Sequence, residues 1–224
     1  MEKKNQLKIY ASYGYKSYPT PFLDVLNAVL VDTISDANLV WFAGGEDISA
    51  ELYGETNGPW TSFNPRRDAA EVVDYEYAVS HNIPMVGVCR GLQFLHAMHG
   101  GKLYQHVDWH TTGERGHLVQ VISGIGEGKE FKVNSYHHQA AQYRSNDNDF
   151  AELLAIANVG GPKFSIGGDA DTPAEHGYEV EAIAYPRTNS FAVQWHPEWM
   201  NFFDSDAVQW FIAGIKTYCL NESK

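Results

Sequence analysis

The stretch Pro84-Met85-Val86-Gly87-Val88-Cys89-Arg90-Gly91-Leu92-Gln93 constrains this chain more than any other. An apolar run stops at a cysteine that has glycine two residues away on each side, and Leu92 to His99 then carries a helix-like pattern. Strand, one strained residue, helix is the elbow that lifts a nucleophile above the edge of a sheet. The two glycines let helix and strand pack closely around a residue forced into an unusual backbone conformation. An elbow of this kind sets the sulfur of Cys89 at a helix N-terminus, where partial positive charge and free N–H groups favour thiolate over thiol. A lone cysteine after an apolar strand is more often a small buried hydrophobe, so the reading depends on the rest of the chain.

Leu7 to Ala11 reads as a first strand. Thr20-Pro21 offers a helix start, and Phe22, Leu26, Val29 and Leu30 recur at helical spacing, which predicts a first crossover helix. Asn38 to Ala43 is a continuous apolar run, as in a strand buried on both faces, and ends in Gly44-Gly45. Asn64-Pro65 opens the next helix, with Ala69, Val72, Val73 and Val79 expected in the core. Pro84 to Val88 returns as a buried strand. This alternation predicts an α/β fold, with a mostly parallel sheet flanked by helices. After Gly100-Gly101 the candidates are short strands: Lys102–Val107, His117–Ser123, Phe131–Val133, Leu153–Asn158, Val180–Tyr185 and Phe191–Gln194. They predict antiparallel additions to the sheet or a small second layer. Asn158 to His176 has no sustained periodicity and reads as a long loop. A last helix starts near Asp204 or Ser205 and puts Val208, Phe211, Ile212, Ile215 and Cys219 on one apolar face, so Cys219 reads as core. With no repeat, low-complexity tract or linker, residues 1–224 are expected to form one domain.

Charge narrows the partners. A formal net charge of -12 argues against unassisted binding to nucleic acid or to an anionic membrane. The polar start Met1 to Gln6 has no apolar stretch behind it, and no later span reaches the roughly 18 apolar residues of a membrane helix. The two cysteines lie far apart and suggest no disulfide framework. A soluble protein of a reducing compartment, the cytoplasm, is the expectation.

A cysteine nucleophile needs a base, an orienter for the base and an oxyanion hole. Gln194-Trp195-His196-Pro197-Glu198 follows an apolar strand, so His196 falls at a strand end on the edge where sites of parallel sheets collect. Glu198 can reach back to one imidazole nitrogen, fixing the tautomer and leaving the other nitrogen for sulfur. Gly45 and Arg90 can supply backbone N–H groups to a tetrahedral oxyanion. Alone, a His-Pro-Glu is a common surface turn and a Gly-Gly a common loop. At three strand ends of one α/β chain they form a set.

Gly87-Val88-Cys89-Arg90-Gly91-Leu92-Gln93 with His196-Pro197-Glu198 resembles the class I (triad) glutamine amidotransferase superfamily. The narrower resemblance is to its peptidase C26 branch, which holds γ-glutamyl hydrolases such as γ-glutamyl-γ-aminobutyrate hydrolase. It is carried by Gly44-Gly45-Glu46-Asp47-Ile48 with Tyr53-Gly54-Glu55, by Arg67-Asp68 with Glu71, by Gly100 to Gln105, by Val133 to Gln139, and by Glu181-Ala182-Ile183 with Val193 to Glu198. Together these cover roughly residues 38 to 200 in register. The resemblance implies a flavodoxin-like central sheet with a small antiparallel addition. It also implies attack by Cys89 on a γ-glutamyl amide, proton transfer by His196, orientation of His196 by Glu198, and a glutamyl thioester. It further places Gln93 and the Ser135-Tyr136-His137 segment at the substrate. The side chain of Arg90 is expected in a structural salt bridge. Ala50 stands where the branch usually has proline, and the Asn158–His176 loop is longer than the expected connection.

His106, Asp108, His110, His117, His137 and His138 raise a metal hypothesis, but no recognised ligand set appears and several belong to family segments that bind no metal. No metal and no cofactor is therefore expected. Three functions stay open: a free-standing hydrolase of a small γ-glutamyl amine or of glutamine; a glutaminase subunit passing ammonia to a separate synthetase; and a catalytically silent binding protein. The branch resemblance favours the first. Self-association and the identity of the amine stay open.

Overall fold

The computed structural model describes residues 6–157, 163–164, 179–201 and 205–222. In chain order its strands and helices are β1 (Leu7–Ala11), β2 (Ala28–Val31), β3 (Leu39–Phe42), α1 (Pro65–Ser80), β4 (Met85–Val88), α2 (Arg90–Met98), β5 (Lys102–Tyr104), β6 (His106–Val107), β7 (Gly113–Val121), β8 (Glu130–Ser135), β9 (Ala140–Gln142), β10 (Glu152–Ala157), β11 (Lys163–Phe164), β12 (Glu179–Tyr185), β13 (Ser190–Val193) and α3 (Asp206–Gly214). Nine strands form one sheet in the order β2-β1-β3-β4-β13-β12-β10-β7-β8. From β2 to β13 the neighbours run parallel, and from β13 to β8 they run antiparallel. The fold is thus the α/β class expected, with the later short strands extending the sheet itself. Two-stranded pairs, β5 with β9 and β6 with β11, lie outside it. The Asn158–His176 loop falls outside the described residues except for β11.

Alternation along the central strands sends side chains to two cores, one on each face. Trp41, Val86, Phe191 and Val193 join one core, with Phe211 of α3. Val40, Phe42, Met85 and Ala192 join the other, with Leu92, Phe94 and Leu95 of α2. Burial on both faces is why these strands read as unbroken apolar runs.

Two expectations are corrected. The first crossover helix does not form. Thr20–Phe22 is a single 3-10 turn. Asn27 is left-handed at φ 49°, and Ala28–Val31 then pairs in parallel with β1, Leu7 opposite Ala28. Phe22 and Leu26 do reach the core, but the free edge of β1 draws the β-branched Val29 and Val31 into a strand. The second correction concerns α1. Asn64 caps it, accepting from the N–H groups of Arg66 and Arg67, and Pro65 takes the first position, as the sequence predicts. Its inward face, however, is Arg67, Asp68, Glu71 and Ala78. Val72 is half-buried, Ala69 is exposed, and Val73 and Val79 are 63% and 40% exposed. The period is helical but the phase is set by what the helix meets, which is charged.

Ser205 caps α3 through Val208 N–H. The chain then closes in a π-helical turn, Ile215–Cys219. Cys219 is buried there, its S–H donating to the Met85 carbonyl at 3.4 Å, and burial pushes its thiol up.

Candidate active site

Gly44, Cys89 and His196 follow the carboxyl ends of β3, β4 and β13, three parallel neighbours. Strands in a sheet lie about 4.8 Å apart, so this register alone brings the three segments within reach of one another. In doubly wound sheets that edge is where ligands bind.

Cys89 has φ 53° and ψ -108° and stands immediately before α2. For a side-chain-bearing residue this is a strained backbone, and its neighbours hold it there. Its N–H donates to the Val193 carbonyl at 2.8 Å, and its carbonyl accepts from Leu92 N–H at 2.9 Å. Both flanking glycines are required by contact. A Cβ on Gly91 would lie 2.1 Å from the Phe42 carbonyl oxygen, and one on Gly87 would lie 2.6 Å from the Gly91 backbone.

His196 is buried, and Asn134 at the end of β8 fixes its backbone on both sides. His196 N–H donates to Asn134 Oδ1 at 2.8 Å, and Asn134 Nδ2 donates to the His196 carbonyl at 2.9 Å. Glu198 Oε1 lies 2.6 Å from His196 Nδ1, which leaves Nε2 on the side of Gly44 and the sulfur. A Cβ on Gly44 would meet the imidazole at 2.5 Å, so glycine there makes room for the ring. Trp199 covers the ring, stacked at 3.9 Å and 5°. Burial opposes a charged imidazole, but the Cys89 sulfur and the Glu198 carboxylate outweigh it and push His196 up to about 10. The same burial, with the nearby charges of Glu198 and Cys89, pushes Tyr18 up to about 12.

A cavity of 180 Å³ opens beside the sulfur, lined among others by Gly45, Glu46, Cys89, Gln93, Tyr136 and His137. It is smaller than the roughly 300 Å³ at which drug-sized pockets begin, so it suits one amino-acid-sized group. Larger surface cavities of 650 Å³ and 510 Å³ do not contain Cys89. Among the residues expected at substrate, Tyr136 and His137 face this cavity and Ser135 does not: its hydroxyl donates to the His110 carbonyl at 2.6 Å. Gln93 lines the cavity while its amide donates to the Gln139 carbonyl at 2.9 Å. His137 is buried with its Nδ1 2.9 Å from the Gln139 carbonyl, and burial, followed by the charge of His110, holds it well below the usual imidazole range.

Beneath the Gly44-Gly45 loop lies a buried charge network. Arg67 donates to Glu71 Oε1 from Nε at 2.8 Å and to Glu46 from Nη1 at 2.8 Å. Its Nη2 donates to the carbonyls of Ala43 and Gly44 at 2.9 and 3.1 Å. Arg90, next to Cys89, donates from Nη2 to Asp68 at 2.5 Å and from Nη1 to Glu71 Oε2. Glu71 therefore bridges both arginines, tying the loop that presents Gly45 to the helix start that presents the Arg90 N–H. Gly45 sits at φ 138°, and a Cβ there would strike Arg67 at 2.5 Å. The structural role expected for the Arg90 side chain is what is found. Residue types alone did not mark the bracing by Asn134 or the cover by Trp199, although Trp199 directly follows Glu198 in the chain.

A family model described as Peptidase C26 matches residues 22–198. The chain belongs to the Peptidase C26 family. Among its relatives is a glutamine amidotransferase-like protein of Lactococcus lactis, 31% identical over 216 residues, covering 84% of this chain and 81% of that protein. The gamma-glutamyl-gamma-aminobutyrate hydrolase of Escherichia coli K12 is 29% identical over 174 residues, covering 68% of this chain and 60% of its own length. In fold, this C26 chain matches a glutamine amidotransferase of Thermotoga maritima with a TM-score of 0.56 at 15% identity, covering 96% of this chain and 83% of that one. The family assignment, with these relatives, supports a hydrolase of amide bonds. No helix among the described residues is long and apolar enough to cross a membrane.

Proposed function

We propose that this protein hydrolyses a γ-glutamyl amide bond through a glutamyl thioester on Cys89. The observation that carries the reading is the strained Cys89 at the start of α2, on one sheet edge with a His196–Glu198 pair at 2.6 Å. The sulfur attacks the amide carbonyl carbon while His196 holds the thiol proton. Charge develops on the carbonyl oxygen beside the N–H groups of Gly45 and Arg90. Collapse breaks the C–N bond, and the amine leaves with the proton from His196. Water then gives a proton to His196 and attacks the thioester. The C–S bond breaks, glutamate leaves, and the sulfur is regenerated. Glu198 holds the imidazole in the tautomer that keeps Nε2 towards the sulfur. Gln93, Tyr136 and His137 are assigned to binding the glutamyl group, with Ser135 positioning that wall from behind.

A small γ-glutamyl amine is the favoured substrate, since a relative covering 68% of the chain carries a hydrolase name of that kind. Incubation of the protein alone with glutamine and a panel of γ-glutamyl amines, with glutamate release measured, tests this. Turnover of the amines supports a free-standing hydrolase; turnover only beside a co-purifying synthetase supports an ammonia-supplying role within a larger complex. Cys89→Ser should lower turnover by at least about 10⁴-fold, and retention of full activity sinks the mechanism. A glutamine-like electrophile should label Cys89 and spare the buried Cys219.

A further inference from the structure

Behind the wall that carries His137, a second group of side chains converges. Ligand-capable atoms of His110, His117 and Glu181 all lie within 4.8 Å of one another. His110 and Glu181 are fully buried, and the His117 side chain is 11% exposed. His117 Nε2 is 2.7 Å from Glu181 Oε1. Neither Glu181 Oε2 nor His117 Nδ1 finds a hydrogen-bond partner among the described residues. Buried polar atoms without partners are costly and call for an explanation. Glu179, two residues along β12 and so on the same face, is also buried and adds negative charge.

Three separate segments deliver these side chains, and each is held. The pairing of β7 with β8 shifts register between Gly113 and His117, and a Cβ on Gly116 would lie 1.6 Å from the Val133 carbonyl oxygen. Such a bulge re-aims the residue beside it, here His117. The His110 carbonyl accepts from the Ser135 hydroxyl at 2.6 Å and from His137 N–H at 3.2 Å. Glu181 sits mid-strand in β12, its carbonyl accepting from Gln194 N–H at 2.8 Å.

We propose that His110, His117 and Glu181 form a buried binding site for one divalent transition-metal ion of the Zn²⁺ type. Two imidazoles and a carboxylate are a Zn²⁺ donor set, with bonds of about 2.0–2.2 Å that put donors about 3.3 Å apart. The ion replaces the direct His117–Glu181 hydrogen bond, spreading that pair by about 0.6 Å, the difference between 3.3 and 2.7 Å. Three protein donors leave the fourth position of a tetrahedral ion to water, and because the set is buried and does not include Cys89 the ion is assigned a clamping role. It clamps the loop bearing His110 to the sheet, and the His110 ring is 4.6 Å from that of His137 in the cavity wall. The histidines were visible in the sequence, but Glu181, 64 residues beyond His117, was not connected to them.

The test uses the untagged full chain in a Cys89→Ser background, so that the catalytic sulfur cannot supply the binding. After dialysis against chelator, Zn²⁺ is added, excess is removed by gel filtration, and metal is counted by mass spectrometry. Retention of about one Zn²⁺ per chain, with a raised thermal midpoint, is expected. His110→Ala and Glu181→Gln should each weaken binding by about 100-fold or more, beyond what outer-shell changes do. His110→Ala, a change in a loop, decides the matter if Glu181→Gln fails to fold. Co²⁺ should give visible bands of an N/O site without sulfur charge transfer. Substoichiometric metal with no saturable binding overturns the proposal, as does binding that survives His110→Ala, which would mark an adventitious ion only.

Discussion

Behind Gly45, Arg67 and Arg90 are buried with their guanidinium groups directed at Asp68, Glu71, Glu46 and two backbone carbonyls. Behind His137, an equally buried group gathers two imidazoles near one carboxylate, only His117 bonding it, with a Glu181 oxygen and a His117 ring nitrogen left without a partner among the described residues. The first cluster answers nearly all of its own charge; the second does not. Removing two charges from water is repaid only when geometry is good and the remaining donors are met. A network that meets this condition stiffens its surroundings, and here it braces the two backbone segments assigned to the oxyanion. A group that falls short of it is open to an additional partner. Burial of charge is therefore not one phenomenon in this fold: one cluster is satisfied by protein, and the other is the proposed metal site.

Within the arginine cluster, loss of Glu71 should cost the most. Glu71→Ala leaves Arg67 and Arg90 each short of a partner in a site with no access to water, and should cost about 3–5 kcal/mol, read from urea denaturation. A loss under about 1 kcal/mol would show that the network is not the finished unit described. The proposed oxyanion role predicts that the milder Glu71→Gln lowers kcat for a γ-glutamyl substrate more than it raises KM.

Titration probes other buried groups, spread over several pH units rather than lost in one substitution. Burial holds His96 and His99 down to about 4, against the pull of the Gln142 and Leu95 carbonyls. Folded values below the unfolded one near 6.5 mean that their contribution is present above pH 6.5 and is lost as pH falls towards 4. Stability should therefore drop by up to about 2.7 kcal/mol per pH unit across that window, two protons being taken up on unfolding. His196 has the opposite sign. Raised to about 10, it contributes fully below 6.5 and loses that contribution as pH rises through 10. NMR of the imidazole should show this high titration, shifted downward in Cys89→Ser when the sulfur's charge is gone.

The smallest effect sharpens the other cluster. In chelator, Glu181→Gln removes a charge from a group already short of partners, and should cost only about 1–2 kcal/mol. With Zn²⁺ present the gap between Glu181→Gln and the parent should widen, measured as thermal midpoints at equal metal. An equal gap under both conditions would make the second cluster a His–Glu pair and nothing more.

Local features of the chain were readable where local rules govern. The elbow at Cys89, the Asn64-Pro65 start of α1, the buried runs of β3, β4 and β13, and the His196-Pro197-Glu198 turn all follow from neighbours within a few residues. Helical spacing at Phe22 to Leu30 misled, because the edge of β1 offered backbone partners that the segment itself does not reveal. The valines of α1 misled for a related reason: spacing defines a face, and only the facing surface decides whether that face is buried.

The residues alone fixed the α/β class, the strained cysteine and the placing of the three site segments at strand ends, since these depend on backbone preferences and apolar periodicity. Tertiary structure alone decided that α1 turns its charges inward, that Glu71 joins two arginines, and that Glu181 meets His110 and His117. The energy of a buried charge is fixed by partners far away in the chain. Such partners have no local signature; they exist only once the sheet has set its register.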